Sequence, residues 1–170
     1  MTNIVDAFYS KYEELLTHLQ ANKEVSLLVW AQEYFRRILV LIMANHLESE
    51  IKATLIEFSK QKSGSELISS FMEKSMNRQY NAYFDWDKNN VNKFFSFFGD
   101  TFKQDANKDV QSNDDLEEGI KAFLEIGNTR NTLAHERLHL ADIGNKTAEE
   151  FYIAFKKAMV FVEYLKTKLK

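Results

Sequence analysis

Not one proline stands in the 170 residues, and glycine occurs only five times. Hairpin and turn-rich folds rely on these two residues at their corners, and helix interiors tolerate neither well. The chain is therefore expected to be all-α. With 45% apolar residues it can build a sizeable core. No internal repeat, low-complexity tract or linker composition divides it, so one helical domain over residues 1–170 is expected, a bundle of about five to seven helices.

Apolar spacing places the helices. Asn3 to Gln20 carries Val5, Phe8, Tyr12, Leu15, Leu16 and Leu19 along one side. A longer helix runs from about Lys23 to Gln61 and breaks at Lys62-Ser63-Gly64-Ser65. A third spans Glu66 to about Met76, and Asn77 to Asn90 reads as an aromatic-rich connecting loop. Asn90 is placed to cap a short helix rich in phenylalanine that Gly99 ends. The polar stretch Asp105 to Asp115 reads as an exposed loop. Asp114 with Glu117, and Thr147 with Glu150, have the spacing of capping boxes opening the last two helices.

Several chemistries are excluded or disfavoured by composition. Without cysteine there is no disulfide, thiol catalysis or Cys-ligated metal. A net charge of −3 gives no bulk attraction for nucleic acid, so any such site must be local. The N-terminal stretch lacks the basic start and apolar run of a signal peptide, and the longest apolar run, Ile38 to Ala44, is too short to span a bilayer. A cytoplasmic protein without membrane association is expected. No Gly-rich phosphate loop, Ser–His–Asp arrangement or spaced carboxylate metal motif occurs, and no cofactor is implied.

What remains is Arg130-Asn131-Thr132-Leu133-Ala134-His135, near the end of the penultimate helix. An Arg-x4-His spacing alone is common by chance. Its context gives it weight: Asn131 follows the arginine, small or apolar residues precede the histidine, and one amphipathic helix follows. The residue types suit RNA cleavage without a metal. Histidine moves protons near neutral pH, and a guanidinium stabilises charge developing on phosphoryl oxygens. Asn131 and His135 are four apart and stack on one helical face, whereas Arg130 lies about 140° around the helix from His135. A site shared between two subunits, or a long arginine reaching round a helix end, resolves that mismatch.

With this motif, its length, Glu33 three residues after Trp30 and the Phe84-Asp85-Trp86 segment, the chain resembles the HEPN superfamily and its RiboL-PSP subgroup. The resemblance implies a homodimer and a metal-independent endoribonuclease of toxin–antitoxin, phage-defence or RNA-processing systems. It equally admits a non-catalytic module that binds RNA or protein. Arg130, His135 and Asn131 are then the catalytic candidates, with an RNA substrate and a cognate antitoxin or defence protein as partners. Glu33 is a candidate to orient Arg130, with an ordinary i,i+4 pair to Arg37 as the plainer reading. Arg137 stands where nucleotidyltransferase-paired HEPN toxins carry a tyrosine, which disfavours regulation through that residue and makes Arg137 a candidate phosphate contact.

The other histidines read as structural. His46 belongs to the core-facing register of the long helix, His18 to the surface, and His135 with His139 lacks a third metal ligand. Trp30 and Trp86 are expected to pack, and the Phe94 to Phe98 cluster to serve as core or dimer interface. A plain structural dimerisation domain is the remaining alternative.

Overall fold

Asn3 receives the chain's first capping bond: its Oδ1 accepts from Asp6 N–H at 2.9 Å and opens α1, Ile4–Ala21. The computed structural model describes residues 3–136 and 142–170, the side chain of Arg78 excepted. After α1 come α2 (Val25–Ser63), α3 (Glu66–Gln79) and a 3-10 turn (Tyr80–Tyr83). They are followed by α4 (Asn92–Ser96), α5 (Asp100–Gln111), α6 (Asp114–His135) and α7 (Ala148–Lys168). No strand occurs among the described residues, so the all-α expectation holds.

Contacts group the residues into two units. The first comprises Met1–His46 with Ile126–Lys156, the second Leu47–Glu125 with Lys157–Lys170. Helices α2, α6 and α7 contribute to both.

In the first unit, α1 buries Val5, Tyr9, Tyr12 and Leu19, the positions its apolar spacing marks or neighbours. Tyr9 stacks flat on Tyr152 of α7, centroids 4.0 Å apart, and Phe35 of α2 stacks on Phe8 and Tyr12. Asp6 ties α1 to α7: its Oδ1 accepts from the Tyr152 hydroxyl at 2.8 Å and from Lys156 Nζ at 2.5 Å. Burial pushes the Asp6 carboxyl up, but these two donors outweigh it and hold the group below the usual carboxylate range. His46 is half-buried against Phe155, and His18 is exposed, as expected of both.

The second unit is built on phenylalanine. Phe84 stacks on Phe94, and Phe123 meets Phe84, Trp86 and Phe161 at 5.0 to 5.7 Å. Such offset and edge-on pairs each add roughly 0.5–1.5 kcal/mol beyond burial. Phe94 and Phe95 are fully buried, whereas Phe97 is exposed. Backbones approach closely at Gly119, where an added Cβ would stand 2.8 Å from the Lys157 carbonyl oxygen.

Three local expectations are corrected. Most of Asp105 to Asp115 is helix, because Ala106 of α5 is fully buried and Asp109 is tied to α7. Asp109 Oδ2 accepts from Lys168 Nζ at 2.7 Å and from the Tyr164 hydroxyl at 2.8 Å. Helix α6 is capped by Asn113, whose Oδ1 accepts from Leu116 N–H at 3.1 Å, in place of Asp114. The helix at Val91 starts with no side-chain cap, and Asn90 Oδ1 accepts from Asn92 N–H instead. The second capping box is as read: Thr147 Oγ1 accepts from Glu150 N–H, and Glu150 Oε2 accepts from Thr147 N–H.

Candidate functional site

Buried Leu133 fixes the rotation of the last turns of α6. With that side chain inward, Ala134 and His135 are exposed and Arg130, Asn131 and Thr132 are half-buried. His135 is the final residue of α6. The turn holding it is intact, since Glu136 N–H donates to the Thr132 carbonyl at 3.0 Å.

Arg130 Nη1 donates to Asn131 Oδ1 at 3.1 Å. Neighbouring residues on a helix normally diverge by about 100°. The bond draws the guanidinium round toward the Asn131 side, which is the side His135 shares four residues on. Asn131 accepts from Arg130; among the described residues His135 makes no hydrogen bond or ion pair with either. Arg137 and His139 lie outside the described residues.

Glu33 is engaged elsewhere. Its carboxylate accepts from Arg36 Nε at 3.0 Å and Nη2 at 3.1 Å, and from Arg37 Nη1. The pair with Arg37 matches the plainer reading of Glu33, except that Arg37 is only 6% exposed rather than on the surface. Among the described residues no bond joins Glu33 to Arg130. The Arg36 hydrogen bond is the largest influence on Glu33 and, with Arg37, holds its carboxyl below the usual range despite burial.

Arg36 escaped the sequence reading. Its Nη1 donates to the backbone carbonyls of Gly144 at 2.8 Å and Lys146 at 3.1 Å. One side chain of α2 thus fastens the segment that enters α7, where Gly144 adopts the positive φ of 71° that glycine permits. Beside it lies a cleft of about 530 Å³ lined by Tyr12, Gln32, Glu33, Arg36, Lys146 and Thr147. The available signal was arginine at both +3 and +4 from Glu33, more than one surface pair needs. The carbonyl partners carry no sequence signature.

Among the described residues no three His, Asp or Glu side chains converge as metal ligands, and no helix is long and apolar enough to cross a membrane. The family model for RiboL-PSP-HEPN matches residues 6–170. The chain belongs to this HEPN family. Comparison with curated proteins and with solved structures finds no match. HEPN membership fits a nuclease or an RNA-binding module.

Proposed function

We propose that this HEPN protein is a metal-independent endoribonuclease acting as a homodimer, with the Arg130 and His135 motifs of the two copies facing each other in a shared site. The observation that carries the reading is the end of α6: His135 exposed on an intact helical turn, with the Arg130 guanidinium drawn to the same side by Asn131.

In the reaction the ribose 2′-oxygen attacks the adjacent phosphorus and the P–O5′ bond breaks. The 2′-hydroxyl proton passes to a base and a proton is delivered to O5′, leaving a 2′,3′-cyclic phosphate and a 5′-hydroxyl. His135 fits the proton-transfer role, which typically contributes about 10²–10⁴-fold in rate. Arg130 fits the stabilisation of charge on the non-bridging oxygens in bidentate fashion. Arg137 is a candidate further phosphate contact, and Glu33, through its arginine partners, a support for the surrounding scaffold. The substrate is single-stranded RNA or a tRNA loop, and a cognate antitoxin or defence-system protein is the expected partner in the cytoplasm.

The test is cleavage of mixed RNA in EDTA by wild type, His135→Ala and Arg130→Ala proteins. Cleavage lost in both variants is the expected result. An inert wild type that still retards RNA on a gel would replace this reading with that of a binding module.

A further inference from the structure

The cleft of about 530 Å³ beside Arg36 carries polar groups that the fold leaves unused. Among the described residues, the Tyr12 hydroxyl and the carboxamides of Gln32 and Asn145 make no hydrogen bond. Gln32 and Asn145 are exposed. Tyr12 is only 7% exposed, yet no unpaired polar atom among the described side chains is sealed from solvent. Its hydroxyl is therefore reached through the cleft it lines. A phenol so deeply placed normally has a partner, and the cleft is where one would sit. The volume falls within the range of small-ligand sites.

The backbone around these groups is held firmly. The Tyr12 ring stacks on Phe35, centroids 5.5 Å apart. Asn145 stands between Gly144 and Lys146, whose carbonyls both accept from Arg36 Nη1. Gln32 lies one turn before Arg36 on α2 and so shares its face. Thr147, which closes the far side of Asn145, is locked into its capping box with Glu150. A preformed cleft of this kind loses little entropy when a ligand docks.

The lining selects the ligand. Arg36 is engaged by Glu33 and the two carbonyls, and Glu33 by Arg36 and Arg37, so this pair offers neither an anion nor a cation site. The unused groups are neutral: two carboxamides, each both donor and acceptor, and a phenol. Burial pushes the Tyr12 phenol up, which keeps it a donor at neutral pH. Val29, 59% exposed, and Ala148 supply apolar wall. A flat ligand with apolar faces and a donor–acceptor edge fits this set. Nucleobases have that form, and carboxamides read the edge of adenine in bidentate fashion. Lys146 adds a positive charge to the lining, which suits a base that carries phosphate. We infer that the cleft seats one unpaired nucleobase, adenine foremost, of the RNA strand that the Arg130–His135 motif acts on. The cleft and the motif belong to the same unit, and Asn145 follows His135 by ten residues.

The inference rests on the RNA-cleaving reading above, and the experiment separates the two. Short 2′-O-methylated strands of A, C, G or U, and one abasic strand, are titrated calorimetrically into wild type, Gln32→Ala, Asn145→Ala and Tyr12→Phe proteins. Adenosine 5′-monophosphate and ribose 5-phosphate serve as small probes, and circular dichroism confirms retained helix. Oligoadenylate is expected to bind wild type most tightly. Each carboxamide variant should lose roughly tenfold for it while binding the abasic strand as wild type does, and Tyr12→Phe should shift it in the same direction. A loss confined to strands that carry bases is one that general weakening of the protein would not reproduce. Variants that bind every strand as wild type does, or an abasic strand held as tightly as oligoadenylate, overturn the assignment. Adenosine monophosphate bound in preference to any strand would make this a free-nucleotide site and overturn the RNA assignment. A wild type that shows the base preference but leaves unmodified RNA uncut in EDTA sinks the ribonuclease reading and leaves the cleft standing. Cleavage whose base preference is unchanged in all three variants overturns the cleft alone.

Discussion

Glu33 serves two guanidinium groups at once, and one of them, Arg37, is almost wholly buried. Removing its charge weakens the pairing of that cation and loosens the grip of Arg36 on Gly144 and Lys146. Because the folded-state pKa of Glu33 lies below its unfolded value, the stabilisation is complete above the ordinary carboxylate range and fades as pH falls through the lowered value. Glu33→Gln should therefore melt below wild type at neutral pH, with the gap closing as the pH falls through the lowered Glu33 value. A gap independent of pH in thermal melts would contradict this. At the motif, Arg130→Lys should retain fold and charge yet lose most cleavage, since an ammonium lacks the planar fork. Single-turnover rates on RNA, compared with wild type, check it. The motif residues stand out in the sequence because the proposed proton transfer and phosphate recognition demand particular residue types. Arg36 does not, because its partners are backbone carbonyls 108 and 110 residues away.

Helices were legible where one-sided burial governs them, as in α1, and illegible where a tertiary partner does. Helix α5 looks like a loop because its run from Asp105 is polar; it is helical because buried Ala106 and the Asp109 bonds to Tyr164 and Lys168 fix it to α7. The start of α6 moved by one residue because Asn113 caps as well as Asp114 would. Glycine 119 is a sharper case. Its spacing in α6 suggests nothing, yet the Lys157 carbonyl lies where a methyl group would go. Gly119→Ala should destabilise the protein by about 1–3 kcal/mol despite alanine's better helix propensity. Urea denaturation measures this, and a stabilised variant would show that the two helices separate at little cost.

A molecule of net charge −3 does not gather RNA by its overall field, so the proposed recognition must come from a few cations placed together. Within one chain Arg130 is turned toward the side of His135 without bonding to it. Two motifs facing one another would complete the constellation. Mixing inactive His135→Ala and Arg130→Ala proteins, then allowing exchange, should restore part of the activity, because half of each heterodimer's sites is intact. No recovery after demonstrated exchange would place both residues of a site in the same chain. The family match across residues 6–170 fixes the class of molecule, and the proposed chemistry rests on the ribose 2′-hydroxyl. It is tested most directly by offering the wild-type protein, in EDTA, the same RNA with and without 2′-O-methylation. Cleavage of the unmodified strand alone, leaving a 2′,3′-cyclic phosphate and disappearing in His135→Ala, is the expected result. Equal cleavage of both strands, or cleavage undiminished by that substitution, would contradict the account.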